Sequence, residues 1–544
     1  MSANSAVQNM STTHYRACNL CEAICGLEIE VDGGEILSIR GDRDDHFSRG
    51  HICPKAVALQ DIHNDPDRLR QPLRRTGSGG WERIEWDDAL DEVAEKLLTI
   101  GASHGRDAVA AYMGNPNVHN WGSLLFGPPV LRDLRTRNLF SATSVDQLPH
   151  HLAATLMFGH KMLLPVPDID RTDFLLVLGA NPVVSNGSMM TAPGLKRRIE
   201  ELQRRGGRLV VVDPRRTETA RIADRHHFIR PGTDALLLMA LLHSIFDEGL
   251  ESPGRLADFT EPLEGVRRVA GDFSPQSVAP ATGINDDAIR SLARDFASAP
   301  SAVCYGRMGV STQEFGGLCQ WLINLLNIVT GNLDRPGGAL FTKPAVDLVA
   351  TTGRGHLGRK KSRVRGLPAF GGELPVAVLA EEILTEGAGR IRGLLTVAGN
   401  PVLSTPNGSK LDGAFACLDF MAAVDIYLHE TTRHADIILP PTAALEHDHY
   451  DLVFNLLAVR NVARYSPAVF DRGRDARHDW QILSEIHRRL GSRSLKTRTR
   501  RWLNAKLGPR WMLDLGLRFG PYGSGFNVFG LSLIHISEPT RLQV

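Results

Sequence analysis

The sequence predicts an α/β protein: a small amino-terminal β-rich unit followed by two doubly wound parallel α/β domains related by an internal repeat. Three observations carry this expectation. Four of the seven cysteines fall at positions 18, 21, 25 and 53, around two short alternating stretches, 27–31 and 35–40, that flank Asp32-Gly33-Gly34; this is a hairpin pattern. Continuous apolar runs at 173–178 and 208–212 end in turn-forming residues and are separated by a helical stretch at 192–205, as in a βαβ unit with a parallel strand pair. Two similar turns, Leu178-Gly179-Ala180-Asn181-Pro182 and Ala398-Gly399-Asn400-Pro401, lie far apart in the chain and point to two ligand sites in repeated halves.

Composition narrows the function classes. Of 544 residues, 42% are hydrophobic and 23% charged, an ordinary globular balance that excludes disorder as the dominant state and leaves room for several cores. A net charge of +1, from 62 basic and 61 acidic residues, gives no global field for nucleic acid or an anionic membrane. Apolar runs such as 236–242 are too short to span a bilayer. Two basic runs, 354–365 and 493–501, fit a funnel for an anionic substrate or a dock for an acidic electron partner, and more simply a solvated surface; no aromatic interleaving marks them for nucleic acid. The residues before Cys18 hold no apolar export segment and no twin-arginine pair, so a cytoplasmic, reducing setting is expected for the thiols.

The cysteine pattern is Cys18-Asn-Leu-Cys21-Glu-Ala-Ile-Cys25, followed at a distance by Cys53-Pro54-Lys55. Three closely spaced thiolates suit a loop wrapped around one side of a compact cluster, with the fourth returned to it by the hairpin. Structural zinc sites usually take their ligands as two close pairs, so a triplet plus one favours a [4Fe–4S] cluster and leaves zinc as the alternative.

The rest of the chain repeats one theme. A helix is expected over 86–104, opened by Asp87 and Asp88 and apolar at helical spacing, then a strand at 108–113. Further strands are expected at 302–305, running into Gly306-Arg307-Met308-Gly309, at 391–397, at 422–428 and at 435–439. Turns at the carboxyl ends of such strands are where open α/β sheets bind ligands. Neither turn is a dinucleotide fingerprint or a P-loop. Asp213 ends the strand 208–212, where an acidic residue meets a ribose or base edge, with a turn or cap aspartate as the plainer alternative.

With these residues in place, the sequence resembles the molybdopterin oxidoreductase family of formate dehydrogenases and periplasmic and assimilatory nitrate reductases. The resemblance runs from Cys18 to about Leu531. It rests on the cysteine motif with Gly50-His-Ile-Cys53-Pro-Lys55, the two Asn-Pro turns, Val211-Val-Asp213-Pro-Arg215, Arg230-Pro-Gly232-Thr-Asp234, Thr330-Gly-Asn-Leu-Asp-Arg-Pro-Gly-Gly338 and Glu430-Thr431-Thr-Arg-His-Ala-Asp-Ile-Ile-Leu-Pro440. It implies that Cys18, Cys21, Cys25 and Cys53 hold a [4Fe–4S] cluster and that Lys55 lies between cluster and pterin, helping electrons pass. It further implies a molybdenum or tungsten ion carried by two molybdopterin guanine dinucleotides. Gly179, Asn181, Pro182, Asp213, Arg215, Gly232, Asp234, Met308 and Gly309 would hold one pterin; Asn400, Asp425 and Thr431 fall where the other is held. Domains are expected at 1–65 for the cluster, 141–300 for one dinucleotide, and 66–140 with 301–490 for the other.

The resemblance also has departures. Where relatives supply a cysteine or selenocysteine to the metal, the stretch 138–151 has none, and Asp146 is the first candidate ligand, ahead of Gln147, with Ser144 or no protein ligand as alternatives. A carboxylate ligand favours a high-valent, oxo-type metal. His150 and His151 are candidate proton relays, or more plainly packed helix residues. Residues 491–531 lead toward a carboxyl-terminal β-barrel lid domain that the family carries and this sequence is expected to lack; 532–544 read as a non-native tail. The expected activity is oxidoreduction of a small molecule at the metal, with electrons exchanged through the cluster with an external partner. The alternative is a non-catalytic iron–sulfur scaffold of the same fold.

Overall fold

The computed structural model describes residues 11–491, 495–527 and 530–537. Positions 493–494 of the second basic run and 538–544 of the expected tail lie outside the described residues.

The amino-terminal unit is an antiparallel meander of three strands, Thr12–Ala17, Gly26–Asp32 and Glu35–Gly41. The expected hairpin is its second half. The first strand adds a partner that closes the cysteine loop: Ala17 pairs with Gly26, and the Cys18 N–H donates to the Cys25 carbonyl at 2.8 Å. Leu27, Ile29 and Val31 point inward, so alternation places one face of the meander over a small core that includes Cys18 and Cys25.

Two parallel sheets form the body. The four-stranded sheet runs Arg225–His227, Arg208–Val212, Phe174–Leu178, Ala302–Gly306, all parallel. The seven-stranded sheet runs Trp81–Arg83, Leu73–Arg75, Ile437–Ile438, Phe420–Val424, Gly393–Val397, Val109–Met113, Leu139–Ser141, parallel except for its two outermost strands beyond Ile437–Ile438. The expectation that residues 301–490 join 66–140 is corrected at its near end. Strand Ala302–Gly306 pairs with Phe174–Leu178, and helix Gly316–Val329 packs on that same sheet. The reason is that Ala302–Gly306 is buried throughout and finds its ladder beside Phe174–Leu178.

Both sheets are covered on both faces, which explains their near-continuous apolar strands. In the smaller sheet, Phe174, Leu176 and Leu178 face helices Asp234–Asp247, Asp286–Ser298 and Gly316–Val329. Leu175 and Val177 face Leu195, Ile199 and Leu202 of helix Leu195–Arg204. In the larger sheet, Val109, Leu395 and Val424 face helices Trp86–His104, Trp121–Leu134 and Asp479–Leu490. Tyr112, Leu394 and Met421 face Leu379, Ile383 and Phe415. The apolar run at 236–242 is the middle of a helix buried between neighbours. Among the described residues no helix is long and apolar enough to cross a membrane.

Strand order reverses between Phe174–Leu178 and Ala302–Gly306, and again between Val109–Met113 and Gly393–Val397. At each reversal the strand ends come together through glycine. A Cβ on Gly309 would lie 2.8 Å from the Gly179 Cα, and one on Gly399 would lie 2.8 Å from the Gly114 Cα. Both distances are shorter than carbon atoms tolerate, and both contacts are backbone to backbone.

Gly309→Val is therefore expected to destabilise the fold by about 1–3 kcal/mol, the range for overfilling a packed contact. Gly77→Val, where an added Cβ meets nothing within 4 Å, is expected to change stability little. Denaturant melts of the two variants check this.

Candidate functional site

The first part of the site is the cysteine pocket. Cys18 and Cys25 are buried, Cys21 and Cys53 are half-buried, and all four are free thiols. Cys53 directly precedes helix Pro54–Val57, whose Ala56 packs into the same small core as Cys18 and Cys25. The four sulfurs act on one another electrostatically: Cys25 is raised by Cys18, Cys21 and Cys53, and Cys18 by Cys21 and Cys53. Burial is the larger effect. It pushes the Cys18 thiol up to about 12 and raises Cys21 and Cys25 as well. Buried thiols of this kind become thiolates only when a metal supplies the compensating charge.

Three cations face this pocket. Lys55, exposed at the start of its short helix, lowers Cys21; Arg464 lowers Cys25; Arg16 lowers Cys18. Arg16 is 4% exposed and hydrogen-bonds only to carbonyls, including Ala444 at 2.7 Å and Pro467 at 3.1 Å. Burial pulls its guanidinium down to about 10, with Cys18 and Asp448 opposing that fall. Neither arginine was legible as a site residue. Arg16 stands two positions before Cys18, the one available signal. Among the described residues no three Cys, His, Asp or Glu side chains converge at single-ion range. A [4Fe–4S] cube is wider than one ion, and its thiolates stand correspondingly further apart.

The second part is a pair of matching turns at the two strand reversals. Gly179 has φ of 52° and Ala398, the first residue of the other turn, has φ of 47°. Asn181 and Asn400 follow with nearly the same backbone angles, −124°/64° and −117°/70°. The Asn181 amide donates to Glu218 Oε2 at 2.7 Å, and its carbonyl oxygen accepts from the Thr219 hydroxyl at 2.8 Å. The Asn400 amide donates to Glu430 Oε2 at 2.8 Å, and its carbonyl oxygen accepts from the Thr431 hydroxyl at 2.7 Å. Each threonine hydroxyl also accepts the N–H two residues beyond its asparagine, from Val183 at 3.1 Å and Val402 at 3.2 Å. Asp213 and Asp425 end the neighbouring strands and each accepts the N–H two residues on, at 2.8 and 3.2 Å.

The structure thus brings Asn181, Asp213 and Gly179 together in one half, and Asn400, Asp425 and Thr431 in the other. Thr431 is fully buried and shapes its turn from beneath. Glu218, Thr219 and Glu430 are the residues that sequence reasoning missed. Their signal was the spacing: the acidic residue follows each strand-end aspartate by the same interval, Asp213 to Glu218 and Asp425 to Glu430.

Around the first turn, Asp234 is 4% exposed and accepts from Gln313 Nε2 at 2.9 Å. Burial raises both Asp213 and Asp234, and Asp213 raises Asp234 further, so two carboxyls share one space. Gly232 has φ of 83° with nothing near its missing Cβ. Arg215 is exposed and approaches Glu218 at 3.8 Å. Met308 and Gly309 lie exposed beside Gly179. Open backbone, buried acceptors and a nearby arginine fit a nucleotide diphosphate with a hydrogen-bonding base.

The third part lies between the other two. Asp146 does not cap helix Leu148–Phe158. Gln147 precedes that helix and makes no side-chain cap bond, while the Asp146 carboxylate accepts a close bond from Arg307 Nη2. Arg307 also donates through Nε to Ser188 Oγ at 2.7 Å. Glu22, next to Cys21, accepts the Met189 N–H at 2.8 Å; burial raises its carboxyl despite that bond. His150 contacts the Gly306 carbonyl at 3.1 Å and His151 the Lys161 carbonyl at 2.7 Å. Burial, aided by Arg307, holds His150 down to about 3, and burial holds His151 down to about 4 against the bond to the Lys161 carbonyl, so both rings are neutral. The Ser144 hydroxyl accepts the Val376 N–H at 2.9 Å.

Comparison with known proteins agrees with this arrangement. Residues 12–65 match the molybdopterin oxidoreductase Fe4S4 domain and residues 68–489 match molybdopterin oxidoreductase, which replaces the zinc alternative with iron–sulfur. The chain is 30% identical over 506 residues to formate dehydrogenase H of Escherichia coli, covering 87% of this chain and 68% of that protein. It is 26% identical over 476 residues to the assimilatory nitrate reductase catalytic subunit of Bacillus subtilis, covering 82% and 64%. The chain therefore spans 64–68% of the length of these relatives. Acetylene hydratase from Pelobacter acetylenicus shares the fold at a TM-score of 0.77 and 21% identity, over 92% of this chain and 71% of that one. Four clustered thiols beside two matched turns at strand reversals, together with these matches, place the chain in the molybdopterin oxidoreductase family, whose cofactors are molybdopterin and a [4Fe–4S] cluster.

Proposed function

We propose that this chain transfers electrons between a small substrate at a molybdenum or tungsten ion, carried by two pterin guanine dinucleotides, and a [4Fe–4S] cluster. The observation that supports it best is the repeated Asn–Asp–Glu–Thr arrangement at two strand reversals. Two equal nucleotide sites need two equal frames. When bound, the metal cofactor would supply the two-electron chemistry, and the cluster would pass electrons singly.

The chain's own residues bind and orient. Cys18, Cys21, Cys25 and Cys53 are the proposed cluster ligands. Gly179, Asn181, Pro182, Asp213, Arg215, Gly232, Asp234, Met308 and Gly309 would hold one dinucleotide. Pyrophosphate suits a glycine-containing turn at the carboxyl end of a parallel strand, and a base edge suits Asp213 and Asp234. Asn400, Asp425 and Thr431 would frame the other. Lys55 is the proposed bridge for electrons. Its charge reaches Cys21 on one side and, on the other, His119, which follows the Gly114 strand end. Asp146 and Gln147 lie on the loop that would face the metal. Seven free thiols suit a cytoplasmic setting. The external electron partner would dock from outside.

Anaerobically purified protein is expected to contain about four irons per chain, molybdenum or tungsten, and extractable pterin. Cys25→Ser should remove the cluster's visible absorption. Iron without pterin or heavy metal would instead support the scaffold reading, and an unchanged spectrum would take Cys25 off the ligand set.

Asn181→Leu and Asn400→Leu each remove the amide that joins the turn's glutamate to its buried threonine. Each is expected to lower pterin content while leaving iron in place, measured as the fluorescence of oxidised pterin against iron. Equal loss of both from either variant would contradict separate frames.

Arg16→Met removes a buried cation from beside Cys18. The reduced cluster is the more negative state, so its midpoint potential should move to more negative values. A redox titration followed by electron paramagnetic resonance reads this directly; an unmoved potential would make Arg16 a packing residue only.

A further inference from the structure

The Asp146–Arg307 pair stands on a frame unlike any other in the described residues. Four successive residues, Asn186, Gly187, Ser188 and Met189, have φ of 56°, 114°, 67° and 53°. Side chains from separate elements hold this strained segment. The Tyr305 hydroxyl donates to the Ser188 carbonyl at 2.6 Å, Arg307 Nε donates to Ser188 Oγ, and Glu22 accepts from the Met189 N–H. Backbone strain of this kind persists where surrounding structure enforces it, and it gathers at ligand sites.

The pair itself is incompletely made. The Arg307 side chain is 7% exposed, and that of Asp146 is 38% exposed, so Asp146 is the member open to the crevice. One carboxylate oxygen engages Nη2. Nη1 is buried and has no hydrogen-bond partner among the described residues. A guanidinium presents a planar fork that a two-oxygen anion fills through two parallel bonds. Asp146 fills half of it. Around Arg307, Ser188 and the two ring-neutral histidines carry no charge, Asp146 is the carboxylate in contact, and Glu22, held by the Met189 N–H, acts on Arg307 through space.

We propose that Arg307 is the anion receptor of the substrate site, and that Asp146 occupies it until a small planar monoanion, a carboxylate or nitrogen oxyanion, takes its place. This deepens the function proposed above and rests on its reading that the loop carrying Asp146 faces the metal. Asp146 then serves as a displaceable counter-ion that keeps a buried cation compensated while the site is empty. Ser188 is a positioning residue that fixes the guanidinium plane, and the strained segment keeps Ser188 from yielding.

The test needs no turnover. Asp146→Asn removes the competitor and leaves Arg307 with no carboxylate in contact, Glu22 acting on it only through space. The variant should melt lower by several degrees, and millimolar sodium formate or sodium nitrate should restore the midpoint. Sodium p-toluenesulfonate at equal ionic strength, too bulky for the fork, should not. In isothermal titration, formate should bind Asp146→Asn at least about tenfold more tightly than wild type, and Arg307→Lys, which keeps the charge but loses the fork, should bind it about tenfold more weakly than wild type. If formate and nitrate leave the melting of Asp146→Asn unchanged, or bind it no better than wild type, the pair is a fold clamp and the proposal fails. Should Asp146→Asn not fold, equal formate affinity in wild type and Arg307→Lys would overturn it alone. Pterin and iron contents of the same samples judge the cofactor reading separately, because the anion effect is measured on the protein whether or not it carries pterin.

Discussion

The crevice of this protein depends on a contact that only glycine permits. In each sheet, the two strands flanking the reversal end within backbone-to-backbone distance, Gly179 against Gly309 and Gly114 against Gly399. A side chain at any of these places would wedge the ends apart and close the turn that follows. Because the ends meet, the chain leaves each strand sharply, and the Asn-Pro turn is held from the neighbouring strand and its threonine: the Gly179 and Ala398 N–H groups donate to the Val212 and Val424 carbonyls, and the Val183 and Val402 N–H groups to Thr219 and Thr431. Ala398 adopts the left-handed conformation that Gly179 adopts in the other half, although an alanine there is strained. The second turn has kept the shape of the first without its most suitable residue, so the shape is what the site requires.

Electrostatics joins the three units that the backbone only brings near one another. The cysteine pocket, taken alone, is a poor place for negative charge: burial raises three of its thiols. The arginines and lysine that offset this come from different regions of the chain. Arg16 belongs to the first strand, Lys55 to the helix after Cys53, and Arg464 to a loop after the last sheet strand, where it also meets Asp45 at 2.7 Å. Buried cations that hydrogen-bond to carbonyls alone, as Arg16 does, are costly without a compensating anion. They become favourable once four thiolates and a cluster are present. Folding of this region and loading of a cluster there would therefore be coupled.

Much of this was legible in the sequence, for identifiable reasons. The cysteine spacing, the apolar strands and the Asn-Pro turns are local patterns, and local patterns survive reading in one dimension. Helix Trp86–His104 matched its expected limits because its apolar period and acidic start agree. The affiliation of strand Ala302–Gly306 was not legible, since nothing local says which of two parallel sheets an apolar run will join. Arg307 was read as part of a turn, yet its contacts lie at positions 146 and 188. Glu218 and Glu430 were overlooked because each looks like a surface glutamate until its asparagine is found in space. The strained segment 186–189 carries one glycine and no motif; its conformation is imposed by Tyr305, Arg307 and Glu22.

That last case shows how the halves differ although their turns match. After the first Asn-Pro turn, the chain enters a left-handed segment clamped by the strand end that carries Arg307 and by the loop that carries Cys21. After the second, it passes from helix Pro401–Ser404 to Asn407, whose φ is 60°, and then directly into helix Gly408–Phe415. The first half reaches back to the cysteine pocket through Glu22, and the second through Leu445, which packs in the cysteine core, and through the Ala444 carbonyl that accepts from Arg16. Two frames of equal shape thus have unequal surroundings: the first is tied to the buried Arg307, the second to the buried Arg16. A repeated fold can in this way set a different buried cation behind each of two matching turns.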